Sequence, residues 1–152
     1  MIKIRAIKFI IVFITMTISS SGISQNEINW DFSFNKEKQE LVFKASLSDG
    51  WHIYSQFLDE NAGPVATTFK FEENDKIEHI ENVQEPEGEI VFDENFNSEI
   101  TYFSNEVSFI QSITTKEKTK VIGSVLYMIC DDNGCLPPDV KSFSIKVSPI
   151  KE

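Results

Sequence analysis

The chain has 152 residues, with 14 basic and 24 acidic side chains and a formal net charge of −10. This length fits one domain that can bury a core of useful size. No cluster of Lys and Arg offers a footprint for nucleic acid or anionic lipid, so the composition excludes those two classes of partner.

Residues 1–24 have the layout of a secretory signal peptide. Three basic residues up to Lys8 precede an apolar run over 9–18, and small polar residues follow as far as Ser24. The run is too short and too interrupted to span a bilayer. We predict cleavage near Ser24, a periplasmic location without membrane insertion, and one mature domain over residues 25–152. Removal of the three basic residues changes the formal charge from −10 to −13.

Alternating apolar and polar residues predict short, half-buried strands along the mature chain. Turn-forming residues, such as those of Asp49-Gly50 and Gly63-Pro64, separate them. In chain order the predicted strands lie at 30–34, 41–47, 51–54, 67–71, 89–92, 107–109, 121–129 and 143–147.

No mature segment has the apolar spacing of a helix, and the chain contains 13 phenylalanines that can fill a core. This pattern predicts an all-β protein, an immunoglobulin-like antiparallel β-sandwich. The acidic stretch over 72–89 is the least patterned region. We interpret it as a solvated loop around a short edge strand.

The only two cysteines, Cys130 and Cys135, enclose Asp131-Asp132-Asn133-Gly134 directly after a predicted strand. Asp and Asn before Gly are typical of a tight reversal, which brings the flanking residues face to face. Residues so placed lie within the separation that a disulfide requires, and an exported protein can keep that bond. Pro137 and Pro138 then interrupt regular pairing of the return strand.

A reversible redox pair is the function that this hairpin favours. Closing so short a loop stabilises a fold by only about 2 kcal/mol, which suits a bond that opens and closes better than a staple. Asp131 and Asp132 raise the pKa of a nearby thiol, so activation is expected from a docked partner, from desolvation or from a hydrogen bond.

Two other functions remain open from the residues alone. One is a non-catalytic binding module in which the disulfide is a clip, and the other is a Cu(I)-handling protein that uses both thiols and Met128. His52 and His79 lie far from the cysteines in sequence, and His52 is interpreted as a packed or partly exposed strand residue. We expect neither a metal nor a cofactor.

Three segments, in order, resemble the N-terminal periplasmic domain of the DsbD family of thiol:disulfide interchange proteins. The first is Asp49-Gly50-Trp51-His52-Ile53-Tyr54, an Asp-Gly-aromatic segment that ends in tyrosine. The second is the acidic, aromatic segment over 93–100, which resembles the family's cap. The third runs from Tyr127 through Cys130 and Cys135 to the proline pair.

The resemblance implies an immunoglobulin-like sandwich with the cysteine-bearing hairpin at one end. It also implies that Cys135 forms the mixed disulfide and that Cys130 resolves it. Phe96 would belong to a cap that shields the disulfide. The site would further be lined by residues that tune or orient the thiols, namely Tyr54, Asp93, Glu94 and Tyr127.

By the same resemblance the partners would be thioredoxin-like redox proteins or a membrane electron transporter as donor, and periplasmic disulfide proteins as acceptor. The chain would then be a protein-disulfide reductase that acts only with those redox proteins. Family members have five residues between the cysteines and continue into further domains, whereas this chain has four and stops at Glu152. We therefore expect electrons to arrive from a separate protein.

Overall fold

The computed structural model describes residues 27–59, 62–93 and 96–150. Within these ranges no helix has the length and apolar character that crossing a membrane requires. The described residues form twelve β-strands: β1 Ile28–Asn35, β2 Glu40–Leu47, β3 His52–Tyr54, β4 Thr68–Phe71, β5 Ile77–Gln84, β6 Glu89–Asp93, β7 Ser98–Ser104, β8 Glu106–Thr115, β9 Thr119–Tyr127, β10 Ile129–Asp131, β11 Gly134–Cys135 and β12 Asp139–Val147.

The strands form three antiparallel sheets. A four-stranded sheet has the order β1-β2-β8-β5, a three-stranded sheet β12-β9-β4, and a five-stranded sheet β11-β10-β3-β7-β6. Only Met128 separates β9 from β10, so one nearly continuous extended segment joins the three-stranded and five-stranded sheets. That segment leads from the middle of the sandwich directly to the cysteine hairpin.

The main core lies between the four-stranded and three-stranded sheets. Along β2, Leu41, Phe43 and Ala45 are fully buried and alternate with partly exposed residues, which is the period-two pattern of a strand with one buried face. The Phe43 ring contacts those of Phe69 and Phe143, with centroids 4.8 and 5.0 Å apart. These contacts confirm the predicted all-β antiparallel sandwich.

The five-stranded sheet separates the main core from a second, smaller cluster. Successive side chains of a strand point to opposite faces. Ile53 of β3 therefore packs in the main core, while its neighbour Tyr54 packs in the second cluster. The second cluster consists of Tyr54, Ala62, Ile100, Met128 and Cys130. One cysteine is thus part of a packed apolar cluster.

Two regions differ from the sequence prediction. Strand β7 was not predicted. Ile100 is buried in the second cluster and Phe103 in the main core, so β7 is buried on both faces. Such a strand lacks the alternation of apolar and polar residues by which the other strands were predicted. The acidic stretch contains β5, an eight-residue edge strand and thus longer than expected. The pairing of β5 with β8 shifts register between Ile80 and Gln84, and Glu81 has a φ of +62°. This irregularity interrupts the two-residue alternation of side chains along β5. The predicted signal peptide, residues 1–24, lies outside the described residues.

Candidate functional site

The cysteine hairpin is a two-residue reversal at the edge of the five-stranded sheet. Cys130 on β10 lies directly opposite Cys135 on β11, and their sulfurs are bonded, with the two Cα atoms 4.0 Å apart. The Leu136 N–H donates to the Ile129 carbonyl at 3.0 Å, which makes the next pair, the cysteines, a non-hydrogen-bonded pair. Side chains approach most closely at such positions, so the ladder itself places the sulfurs together.

The Asp131 carboxylate holds the turn. Its Oδ1 accepts the backbone N–H groups of Asn133 at 2.8 Å and Gly134 at 3.0 Å, and its Oδ2 accepts the Asn133 side-chain amide. These hydrogen bonds lower the pKa of Asp131. Gly134 has a φ of +152°, as expected for the glycine of this reversal. Asp131 thus has a structural role in the hairpin besides its charge.

The two sulfurs of the disulfide differ in accessibility. Cys130 is 2% exposed and packs in the second cluster, whereas Cys135 is exposed on the outer strand of the hairpin. Thiol–disulfide exchange requires the attacking thiolate to reach a sulfur directly. A protein partner can therefore reach Cys135 far more readily than Cys130.

Tyr54 connects the second cluster to the disulfide. Its hydroxyl donates a hydrogen bond to Cys130 Sγ at 2.8 Å and lies 4.0 Å from Cys135 Sγ. Burial, with a further contribution from Asp93, raises the pKa of Tyr54 to about 12. The hydroxyl therefore keeps its proton at neutral pH and remains a donor to the buried sulfur.

His52 belongs to the same site. In the β3–β10 pairing it lies directly opposite Cys130, its Nε2 is 3.2 Å from Tyr54 Oη, and its ring lies 4.6 Å from that of Tyr102 between centroids. Burial lowers the pKa of His52, although the carboxylates of Asp93 and the hairpin oppose the shift. His52 therefore does more than the packed or partly exposed strand residue that the sequence predicts. The signal that the sequence offered was the i, i+2 spacing, which places His52 and Tyr54 on one face.

A cleft of about 250 Å³ opens beside the disulfide. It brings together five of the predicted site residues: Cys130, Cys135, Tyr54, Asp93 and Phe96. Glu94, also predicted for the site, lies outside the described residues. The cleft is further lined by the four hairpin residues between the cysteines, 131–134, and by His52, which was not predicted for the site.

Tyr127 was predicted to line the site, but the structure places it in the main core. Its ring packs against Trp30, and its hydroxyl donates to Asp139 Oδ2 at 3.0 Å. Tyr127 precedes Cys130 by three residues, and an odd separation along extended chain turns the two side chains to opposite faces. It therefore supports the start of β12 and does not contact the cleft.

Phe96 forms one wall of the cleft and packs against the second cluster. Its backbone N–H approaches Asp93 Oδ1 at 3.4 Å. On the other side it lies against Gly63, whose φ is +96° and whose position leaves no room for a Cβ beside the ring. Gly63 thus permits the close approach that seats Phe96.

Within residues 27–59, 62–93 and 96–150, no group of three or more His, Cys, Asp or Glu is arranged to hold a metal ion. Met128, which the Cu(I) hypothesis used as a ligand, is 8% exposed and packs in the second cluster with Cys130. The hairpin itself presents a disulfide with one buried and one exposed cysteine.

Comparison with known proteins agrees with this chemistry. The family model for the N-terminal part of the thiol:disulfide interchange protein DsbD matches residues 21–147. The search of curated proteins found no match.

Two solved structures share the fold. The reduced DsbD N-terminal domain of Neisseria meningitidis aligns with a TM-score of 0.58 and 16% identity, covering 82% of this chain and 91% of that one. The complex of the DsbD and PilB N-terminal domains from the same organism aligns with a TM-score of 0.59 and 14% identity, covering 82% and 87%.

Proposed function

Because this chain belongs to the family of the N-terminal domain of the thiol:disulfide interchange protein DsbD, we propose that it relays reducing equivalents between partner thiol proteins. The relay uses reversible opening of the Cys130–Cys135 disulfide. The single observation that carries the proposal is the inequality of the two cysteines: Cys135 is exposed, whereas Cys130 is buried and its sulfur accepts a hydrogen bond from the Tyr54 hydroxyl. A carrier needs one sulfur that partners can reach and one that stays within the protein to complete the exchange.

In this proposal Cys135 forms the mixed disulfide and Cys130 resolves it. A partner thiolate attacks Cys135 Sγ, the bond between the two cysteines breaks, and its electron pair remains on Cys130 Sγ. The Tyr54 hydroxyl, 2.8 Å away, donates to that developing thiolate and stabilises it. The hydrogen bond offsets the unfavourable effect of burial on a charged sulfur.

Phe96 and Asp93 have a supporting part in the proposal. The ring of Phe96 walls the cleft and limits approach to the disulfide by small thiols and oxidants, as the predicted cap would do. A docking protein can displace one ring that is only partly buried. Asp93 lies in the same cleft and contributes to the raised pKa that keeps the Tyr54 hydroxyl protonated.

The proposed partners are thioredoxin-like redox proteins or a membrane electron transporter as donor and disulfide proteins as acceptor. One solved relative is a complex of a DsbD N-terminal domain with a PilB N-terminal domain, which supports protein partners for this chain. The predicted signal peptide supports a periplasmic location, and residues 25–152 would be the mature domain. Acting only with such proteins, the chain would serve as a protein-disulfide reductase.

A trapping experiment tests the assignment of the two cysteines. The Cys130→Ser and Cys135→Ser variants are each mixed with a single-cysteine thioredoxin that carries a thionitrobenzoate group, and covalent complexes are separated on a non-reducing gel. We expect Cys130→Ser, which keeps the exposed sulfur, to form the complex and Cys135→Ser to form little. Equal trapping by both variants, or none by either, would contradict the proposal.

A non-catalytic binding module with a permanent, structural disulfide is the second candidate. It is favoured by the burial of Cys130 among Tyr54, Ile100 and Met128, because a packed sulfur also suits a permanent bond. The two candidates differ in the reduction potential of the disulfide, since structural bonds lie below about −300 mV.

A further inference from the structure

A line of hydrogen bonds leads from His52 through Tyr54 to Cys130. We infer that His52 takes the proton of Cys130, through the Tyr54 hydroxyl, when Cys130 resolves a mixed disulfide formed at Cys135. The inference rests on the proposed function and adds to it the group that activates the buried thiol. His52 does not contact the sulfur in this line, so it is a positioning residue that acts through Tyr54.

The geometry is that of a two-step proton path. His52 Nε2 lies 3.2 Å from Tyr54 Oη, and Tyr54 Oη lies 2.8 Å from Cys130 Sγ. Both contacts are within hydrogen-bonding distance, and the sheet fixes the backbone of His52 and Tyr54 because β3 is paired on each side, with β10 and with β7. Cys130 is 2% exposed, so solvent reaches this sulfur poorly and an internal path has a clear use.

The direction of the hydrogen bonds agrees with this role. A tyrosine hydroxyl has one proton, and here it is donated to Cys130 Sγ. The 3.2 Å contact with His52 then requires Nε2 to be the donor to Tyr54 Oη. In the oxidised protein the Tyr54 proton is thus directed at Cys130 Sγ, and His52 has a proton on Nε2. The same arrangement results when Cys130 gives a proton to Tyr54 and Tyr54 gives its own proton to His52.

The charges around His52 bear on its protonation. Burial lowers its pKa, so it is available as a neutral base near neutral pH. Nearby carboxylates favour the imidazolium that forms when it accepts the proton. Among the described residues, the titratable groups around it are Glu89 and Asp93 of β6, Asp131 and Asp132 of the hairpin, Tyr54 of its own strand, Tyr102 of β7 and Cys130 of β10.

The step balances in atoms and electrons. The Cys130 thiol gives its proton to Tyr54 as Tyr54 gives its own to His52 Nε2. Cys130 Sγ then attacks Cys135 Sγ, and the bond between the two cysteines forms. The bond from Cys135 to the partner sulfur breaks and leaves its electron pair on the partner, which is released as a thiolate. The pair of cysteines is oxidised, and the partner is reduced.

Ellman's reagent provides a probe that needs no partner protein. The reduced protein reacts first at exposed Cys135 and releases one thionitrobenzoate. Cys130 then resolves the mixed disulfide and releases the second in a phase that does not depend on reagent concentration. In the wild-type protein we expect the rate constant of this second phase to rise through the pKa of His52, below 6.5, and then to level off.

His52→Gln keeps a polar side chain but removes the base. We expect its second phase to slow by about tenfold or more near neutral pH and to lose the plateau, because hydroxide must then ionise the thiol. The first phase, at Cys135, is expected to keep its wild-type rate. The matched control is His79→Gln, since His79, the only other histidine, packs against Phe71 away from the cleft.

A His52→Gln protein with the wild-type rate and pH profile would overturn the inference. If this variant does not fold, the pH dependence of the second phase in the wild-type protein tests the inference instead. A second phase without an inflection at the His52 pKa measured by NMR would equally overturn it. These results are separate from the proposed function, since trapping at Cys135 and the reduction potential do not depend on how Cys130 loses its proton.

Discussion

The two cysteines are chemically unequal because they lie in different surroundings. Cys130 alternates with Ile129 so that its side chain enters the second cluster, where Tyr54 donates to it, while Cys135 lies on the exposed outer strand. Such a pair can divide the work of exchange between an entry sulfur and a resolving sulfur. The division depends on one register, since a shift of a single residue would turn both side chains to the other face.

Histidine burial predicts a pH dependence of stability. Burial lowers the pKa of both His52 and His79 from 6.5. Between each folded pKa and 6.5 the unfolded chain binds more protons, so the free energy of unfolding rises with pH through this window and declines as pH falls. Urea unfolding over a pH series should show this slope, and His52→Gln and His79→Gln should each reduce it. Variants that both retain the full slope would contradict the assignment.

At the residue scale the sequence identifies some residues of the cleft and misses others. Cys130, Cys135 and Tyr54 were placed in the site through their segments, and they do line the cleft. His52 was missed because its partner is 78 positions away along the chain and adjacent only through the β3–β10 pairing. Tyr127 was expected in the site from the family resemblance, but its odd separation from Cys130 along the extended chain turns the two side chains to opposite faces.

The elements around the cleft are held by backbone features as much as by side-chain packing. The hairpin depends on Asp131, which accepts two backbone N–H groups, and the position of the Phe96 ring depends on the space that Gly63 leaves for it. Both features lie at positions where the chain reverses or approaches another segment closely. A change to the backbone at either should therefore alter access to the disulfide.

Gly63→Ala tests the seat of Phe96. Gly50→Ala is the matched control, because Gly50 has a similar φ of +82° but nothing lies near its added Cβ. Each substitution should cost about 1 kcal/mol for the positive φ, and Gly63→Ala about 1–3 kcal/mol more for overlap with the ring. Reduction by dithiothreitol should accelerate only in Gly63→Ala. Equal stability losses and equal reduction rates in the two variants would refute this account of the Phe96 position.

Strands with one buried and one exposed face were predicted well, whereas strands buried on both faces or interrupted by a register shift were not. The alternation along β2 and β12 gives their buried faces directly. By contrast, β7 packs in both clusters and β5 contains a register shift, so neither has a clean period. Tertiary position decides both cases, and a single sequence contains no direct record of it.

The whole molecule is a sandwich around the main core, and the disulfide lies at the edge of the five-stranded sheet. The main core contains residues of β1, β2, β8, β9 and β12 together with single residues of β3, β5, β7 and β10, but it contains no buried residue of the two edge strands β6 and β11. A disulfide at such an edge can open without removing a contact between the two large layers. The proposed exchange would therefore take place outside the contacts between these two layers.

Reduction of the disulfide should leave the protein folded. The bond closes a six-residue loop, so its loss should lower the free energy of unfolding by only about 2 kcal/mol. Urea unfolding followed by tryptophan fluorescence, with and without dithiothreitol, measures the difference, and the Cys130→Ser/Cys135→Ser double variant serves as a permanently open reference. Unfolding on reduction would identify the bond as a structural staple.

The central claim is that the Cys130–Cys135 disulfide is a working redox bond, and its midpoint potential tests this most directly. The mature protein is equilibrated in thiol–disulfide buffers of graded potential, and free thiols are counted by alkylation, with Cys135→Ser as the control for labelling. A carrier requires a midpoint well above about −300 mV, in the range of thiol-exchange proteins. A bond that stays oxidised below that potential would contradict the account. It would favour the alternative of a binding module with a structural disulfide.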